Sequence, residues 1–288
     1  MEKDTKHLII MVAAAIIIII AAFLCINLAS GVNPPQTVVE SSSMQHGTGS
    51  EVGTIDTGDM VLLIDKDRTE IRSYVDGYKT GYRAFGGYGD VIVYDRGPLA
   101  NPVIHRAILW LEYNGDGTWS APSLEGYPSD RWSCTSGDDY TKMTGILTMR
   151  YMKYDESVTA TLNLDELVKL KSSGGFITMG DNNAGVDQLG GVPYVRDLIP
   201  YEQINSVAWI EIPWVGAFKM MWSGKGADLD KYVPNTIPCL AAFVLSVIFL
   251  LFGFSFLLDR IYYSQYRREL HKEMYAPAPS FLVEDDNE

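Results

Sequence analysis

Two long runs without charge constrain this chain more than anything else in it. Leu8 to Leu28 holds no charged residue over 21 positions, and Ile237 to Leu258 none over 22. A helix of about 20 apolar residues crosses the hydrocarbon core of a bilayer. Buried helices of soluble proteins seldom stay uncharged for so long, so the two runs predict transmembrane helices over 8–28 and 237–258. The first run is longer than the 7–15 residue apolar region of a cleaved signal peptide, which predicts a retained signal anchor.

Positive charge beside the runs predicts orientation. Lys3 and Lys6 flank the first run; Arg260, Arg267, Arg268 and Lys272 follow the second. Short basic flanks stay in the cytoplasm. The expectation is a two-pass protein of the cell membrane with both termini cytoplasmic (1–7 and 259–288) and residues 30–235 outside. That outer segment carries 17 Lys and Arg against 27 Asp and Glu, a net charge of about −10. Such a charge is poorly suited to a polyanion, so nucleic acid is not expected as a partner. Of three cysteines, only Cys134 lies in the outer segment. No disulfide can form within it, and no cysteine-based metal site. Cys134 sits in a Ser/Gly/Asp-rich stretch with nothing nearby to activate a thiol. The last residues, 276–288, run from Ala-Pro-Ala-Pro to Glu-Asp-Asp-Asn-Glu. They lack the apolar content to order themselves.

Between the runs, short β-branched and aromatic stretches alternate with Gly, Asp and Pro. Met60–Ile64, Val91–Tyr94, Val103–Leu111 and Phe176–Met179 read as strands. A mainly β outer domain is therefore predicted. One helix is signalled: Asn163 can cap it, with Glu166 as a capping-box partner and Gly174 as a stop. Residues 112–172, richer in Gly, Ser, Asp and Trp, read as an α/β insertion between two core strands. Trp209 to Trp222, aromatic and close to the second run, reads equally as a lipid-interface segment or as a core strand entering a membrane-proximal linker.

Chemistry near neutral pH usually needs a histidine as general base. Of four, His7 and His271 fall on the cytoplasmic flanks, leaving His46 and His105. His105 lies with Arg106 in an otherwise apolar strand, where both are costly unless partnered. His46, among Gln, Gly and Thr, reads as a solvated loop residue. Ser41-Ser42-Ser43-Met44 follows the extended Thr37-Val38-Val39 and by spacing alone is loop. Gly180-Asp181-Asn182-Asn183-Ala184-Gly185-Val186-Asp187 follows a strand with turn composition. It lacks the acidic spacing of an EF-hand.

Taken together, these segments resemble signal peptidase I. The boxes are Ser41–Met44, Gly58–Leu63, Gly89–Val93, His105-Arg106 and Gly180–Asp187, in family order between an N-terminal anchor and a second span. The resemblance covers about residues 30–110 and 174–215, not the insertion. It is to the archaeal and endoplasmic-reticulum branch, which has histidine where bacterial enzymes have lysine. It implies a signal-peptidase-like β core and a serine endopeptidase that removes signal peptides after small residues of the Ala-x-Ala kind. Carried over, Ser43 is the nucleophile, His105 the general base and Asp187 its partner. Asp181 supports the site, and Ser41 donates to the oxyanion from the strand face it shares with Ser43. No cofactor and no metal is implied. The implied partners are the signal peptides of secretory preproteins and the lipid bilayer, with the protein-export translocon left open. Pocket walls are expected around Ser43 and the Val91–Tyr94 strand. The family usually reads Ser-Met-x-Pro, whereas this chain reads Ser43-Met44-Gln45-His46-Gly47; a proline would stiffen that turn, and His46 stands beside its place. A catalytically degenerate, membrane-anchored β domain that binds exported chains is the alternative.

Overall fold

The computed structural model describes residues 2–97, 100–190, 192–193 and 195–274. The chain divides into two units, Met1–Ile237 and Pro238–Glu288. The first begins with helix α1 (Glu2–Ser30) and continues into a mainly antiparallel β body. The second consists, among its described residues, of the greater part of α6 (Thr236–Met274). Val12–Ser30 and Thr236–Arg268 are both long and apolar enough to cross a membrane. Their apolar side chains, such as Ile16–Ile20 on α1 and Phe249–Phe252 on α6, are exposed. The 276–288 tail expected to be disordered lies outside the described residues.

The principal sheet has seven strands. Its order is β1 (Gln36–Val38), β2 (Met60–Asp65), β12 (Ile204–Ile212), β5 (Val91–Tyr94), β6 (Val103–Tyr113) and β11 (Gly174–Met179), with β7 (Trp119–Ser120) pairing off the far end of β6. Every pairing is antiparallel. The four residues of β5 are all buried, which suits a continuous β-branched and aromatic run enclosed on both faces. All four stretches that read as strands are strands.

Of the expected 112–172 insertion, the first two residues still belong to β6 and β7 pairs with the main sheet, while β10 (Val158–Asn163), β9 (Ile146–Met152) and β8 (Trp132–Cys134) form a three-stranded sheet, with α3 (Leu164–Lys169) directly after β10. This part shares its core with the main sheet: Trp119, Leu147, Met149, Leu164 and Leu167 pack with Ile108, Leu109, Leu111 and Ile177. Asn163 caps α3, accepting from the Asp165 and Glu166 N–H groups at 3.0 and 3.4 Å. The expected capping box is only half made. Glu166 accepts instead from Lys169 at 2.6 Å.

A short hairpin of β3 (Arg83–Ala84) and β4 (Gly87–Tyr88) turns through Phe85 and Gly86, both left-handed. That is the pattern of a two-residue hairpin turn matched to strand twist. The preceding helix is α2 (Tyr74–Thr80).

The Trp209–Trp222 stretch is a strand only in its first part. Trp209 to Ile212 complete β12, which lies inside the sheet between β2 and β5. Beyond it, helix α4 (Ala217–Trp222) exposes Phe218, Met221 and Trp222, the last at 94%. Helix α5 (Gly226–Tyr232) follows.

Candidate active site

The serine run does not lie on a strand. β1 ends at Val38, and Ser41 to Met44 form bends and a turn, so the shared strand face expected for Ser41 and Ser43 is absent. Their hydroxyls nevertheless meet at 3.2 Å. The ladder persists briefly past β1: Val39 N–H donates to Asp59 O, and Gly58 N–H to Val39 O. Met44 then turns inward and is buried with Val39, Ile55, Val61 and Val91. A buried side chain next to Ser43 fixes the backbone without constraining the hydroxyl. From the other side, Asn182 donates its N–H to Ser43 O at 2.8 Å and its side-chain amide to Ser42 O at 3.0 Å.

His105 lies in β6, opposite Ile92 of β5. Its Nε2 lies 2.9 Å from Ser43 Oγ, and its Nδ1 2.7 Å from Asp187 Oδ2. Asp187 opens a short 3₁₀ turn, Asp187–Leu189, and is fully buried. Tyr94 of β5 donates its hydroxyl to the same carboxylate oxygen at 2.8 Å. Burial pushes the Asp187 carboxyl up. The imidazole and the nearby hydroxyls more than offset this and hold it below the usual carboxylate range. Burial, and next the charge of Asp187, push the Tyr94 hydroxyl upward, so it stays a donor. An ionised carboxylate only accepts, so Nδ1 carries a proton, and the neutral form of this imidazole turns its Nε2 lone pair to Ser43.

Asp181 serves a different partner. β11 ends at Met179, paired with Arg106, which brings Asp181 to the Arg106 side chain. Arg106 grips it with Nε and Nη2 at 2.7 and 2.6 Å. Its Nη1 donates to the carbonyls of Ala84, Tyr88 and Gly89. Burial raises the Asp181 carboxyl, but the guanidinium, helped by His46, holds it low. Both polar residues of the apolar strand are thus partnered, each by one carboxylate of the Gly180–Asp187 segment.

The structure corrects the reading of His46. It is not solvated: its Nε2 lies 2.8 Å from Asp181 Oδ2 and its ring stacks on Tyr154 of the insertion. Gln45 beside it is buried. Its amide donates to the carbonyls of Tyr232 and Gly47 and accepts from the Thr57 hydroxyl. Side chains thus restrain the turn that a proline would have stiffened.

Sequence reasoning missed Tyr94, Asn182, Gln45 and Tyr154. Tyr94 had a signal: it shares a strand face with Ile92, the residue paired with His105. Tyr154 had none, because the insertion carries no family pattern.

Ser43 and His105 line a cleft of about 770 Å³ walled by Val39, Val93, Val103, Ile104 and Val192. Of the Val91–Tyr94 strand, only Val93 lines the cleft. Glu40 sits at the rim, paired with Lys219 at 3.2 Å and with Lys225. No family model, curated protein or solved structure matches this chain.

Proposed function

We propose that this chain is a membrane-anchored serine endopeptidase of the signal peptidase I kind, which cuts signal peptides from exported preproteins after small residues. The observation that carries this reading is the relay from Ser43 through His105 to Asp187, at 2.9 and 2.7 Å. A serine hydroxyl is a weak nucleophile until a base takes its proton. Here Nε2 takes it as Ser43 Oγ attacks the scissile carbonyl. Asp187 stabilises the imidazolium. Nε2 then passes the proton to the leaving amine, freeing the mature chain and leaving the signal peptide as an ester on Ser43. Water, activated by the same imidazole, hydrolyses the ester. The Ser43 N–H and the Ser41 hydroxyl are the donors for the oxyanion; loss of such a donor costs about 3 kcal/mol.

The cleft suits an extended peptide. Its valine and isoleucine walls favour small apolar side chains over charged ones, and β1, the edge strand of the sheet among the described residues, offers its outer side to a substrate strand. The two apolar helices and the exposed Phe218, Met221 and Trp222 support a membrane-bound domain whose α4 end meets the lipid surface. The basic flanks support cytoplasmic termini and a catalytic domain outside. The alternative, a degenerate domain that only binds exported chains, gives no reason for three hydrogen-bonded groups in register.

The test is to incubate the full chain in detergent with a secretory preprotein and sequence the product's new N-terminus. The expected cut follows an Ala-x-Ala site and disappears in Ser43→Ala. Cleavage elsewhere, or cleavage that survives in Ser43→Ala, overturns the reading.

A further inference from the structure

A second histidine–aspartate pair lies directly beside the first, and the relay does not use it. His46 follows Ser43 by three residues. Its Nε2 meets Asp181 at 2.8 Å, and Asp181 is held by Arg106, the neighbour of His105 on β6. The nucleophile turn and the base strand are therefore joined through one buried carboxylate. Gly86 passes so close that a Cβ there would lie 2.7 Å from His46 Cε1. The ring has a fitted seat.

The insertion closes that seat. The Tyr154 ring stacks on His46 with centroids 3.7 Å apart and planes 12° apart, and its hydroxyl donates to the His46 carbonyl. Tyr154 thus grips both the ring and the backbone of one residue. The chain around it is unusual: Tyr151, near the end of β9, and Lys153 and Glu156 in the turn beyond it all have left-handed backbones. Such conformations are costly in residues with side chains, and they persist where surrounding structure demands them.

We propose that His46 and Tyr154 are positioning residues, a clamp by which the insertion sets the Ser43 turn against His105 where a proline would otherwise stiffen it. The inference rests on the reading of Ser43 as nucleophile. Neither residue touches substrate in this role. They act by holding Ser43 Oγ within reach of Nε2, and small misplacements at such a centre are costly, up to about 100-fold per ångström.

The test uses the full chain in detergent with two readouts. One is preprotein cleavage, resolved into kcat and KM. The other is the rate at which a fluorophosphonate, a serine-directed probe, labels Ser43; it needs no knowledge of the substrate. His46→Ala and Tyr154→Ala should each lower kcat and labelling about 10- to 100-fold, with KM within about 2-fold of wild type. The double variant should be no slower than the slower single one, because the two residues act as one unit. His46→Gln, whose amide can still donate to Asp181 but which loses the ring stack, should recover part of the loss. Tyr154→Phe, which keeps the stack, should lie between. Unchanged kcat and labelling, additive losses, or losses that merely follow the folded fraction by circular dichroism would overturn the clamp. If wild type labels at Ser43 but cuts no preprotein, the substrate reading falls and the labelling rates still judge the clamp. If wild type neither labels nor cuts, both proposals fall.

Discussion

At the scale of single residues, the geometry leaves little room. A Cβ on Gly180 would lie 2.5 Å from Ser43 O and 2.8 Å from His105 Nε2. Gly180→Ala should therefore push Ser43 and His105 apart. The expected result is a loss of about 100-fold or more in kcat, with a folded protein by circular dichroism. Wild-type activity in that variant would contradict the packing described. Sequence reading singled out Ser43, His105, Asp187, Asp181 and Ser41 because each lies in a short pattern. It misjudged His46 because a histidine among Gly, Thr and Gln gives no local sign of burial. The partners that bury it, Asp181 and Tyr154, are 135 and 108 residues away. The role of the missing proline was likewise hidden. The Gln45 amide that holds the turn reaches Tyr232, 187 residues on.

At the scale of elements, the strands were legible because buried β5 and β6 are near-continuous apolar runs. The divided fate of Trp209–Trp222 was not, since β12 is central at one end and exposed at the other. Where β12 meets the loop before β2, a buried acid, Asp59, and a half-buried one, Glu211, gather. Asp59 accepts from the N–H groups of Trp214 and Asp56, at 2.8 Å each. Glu211 accepts from Gly53 N–H at 2.7 Å. Burial pushes Asp59 up to about 8 and Glu211 up to about 7, only partly offset by those N–H donors. Folded, both groups hold protons that the unfolded chain gives up near pH 4. Folding therefore takes up protons between about pH 4 and 8, and stability falls as pH rises through that window. Asp181 and Asp187 act oppositely. Their carboxyls are held low, so their contribution is present above about pH 4 and lost only in stronger acid. The thermal midpoint in detergent should drop on the order of 5 °C from pH 5 to pH 8, and Asp59→Asn should flatten that slope. A midpoint that rises over the same range would contradict these assignments.

At the scale of the whole molecule, two apolar helices flank an acidic β domain, and their length and charge-free composition made them the plainest feature of the sequence. The proposed orientation makes a direct prediction. Protease added outside sealed cells should reach the 112–172 insertion and spare the C-terminal tail, as read by antibodies to each. Protection of the insertion would reverse the topology. The fold serves the proposed chemistry only if it delivers an activated Ser43. The most direct measurement of that is a double-mutant cycle on preprotein cleavage with wild type, Ser43→Ala, His105→Ala and the double variant. The relay predicts that each single change lowers kcat by about a thousandfold or more and that the double change costs no more than either alone. Losses that multiply, or a His105→Ala enzyme that keeps its rate, would show that Ser43 and His105 do not act as one unit.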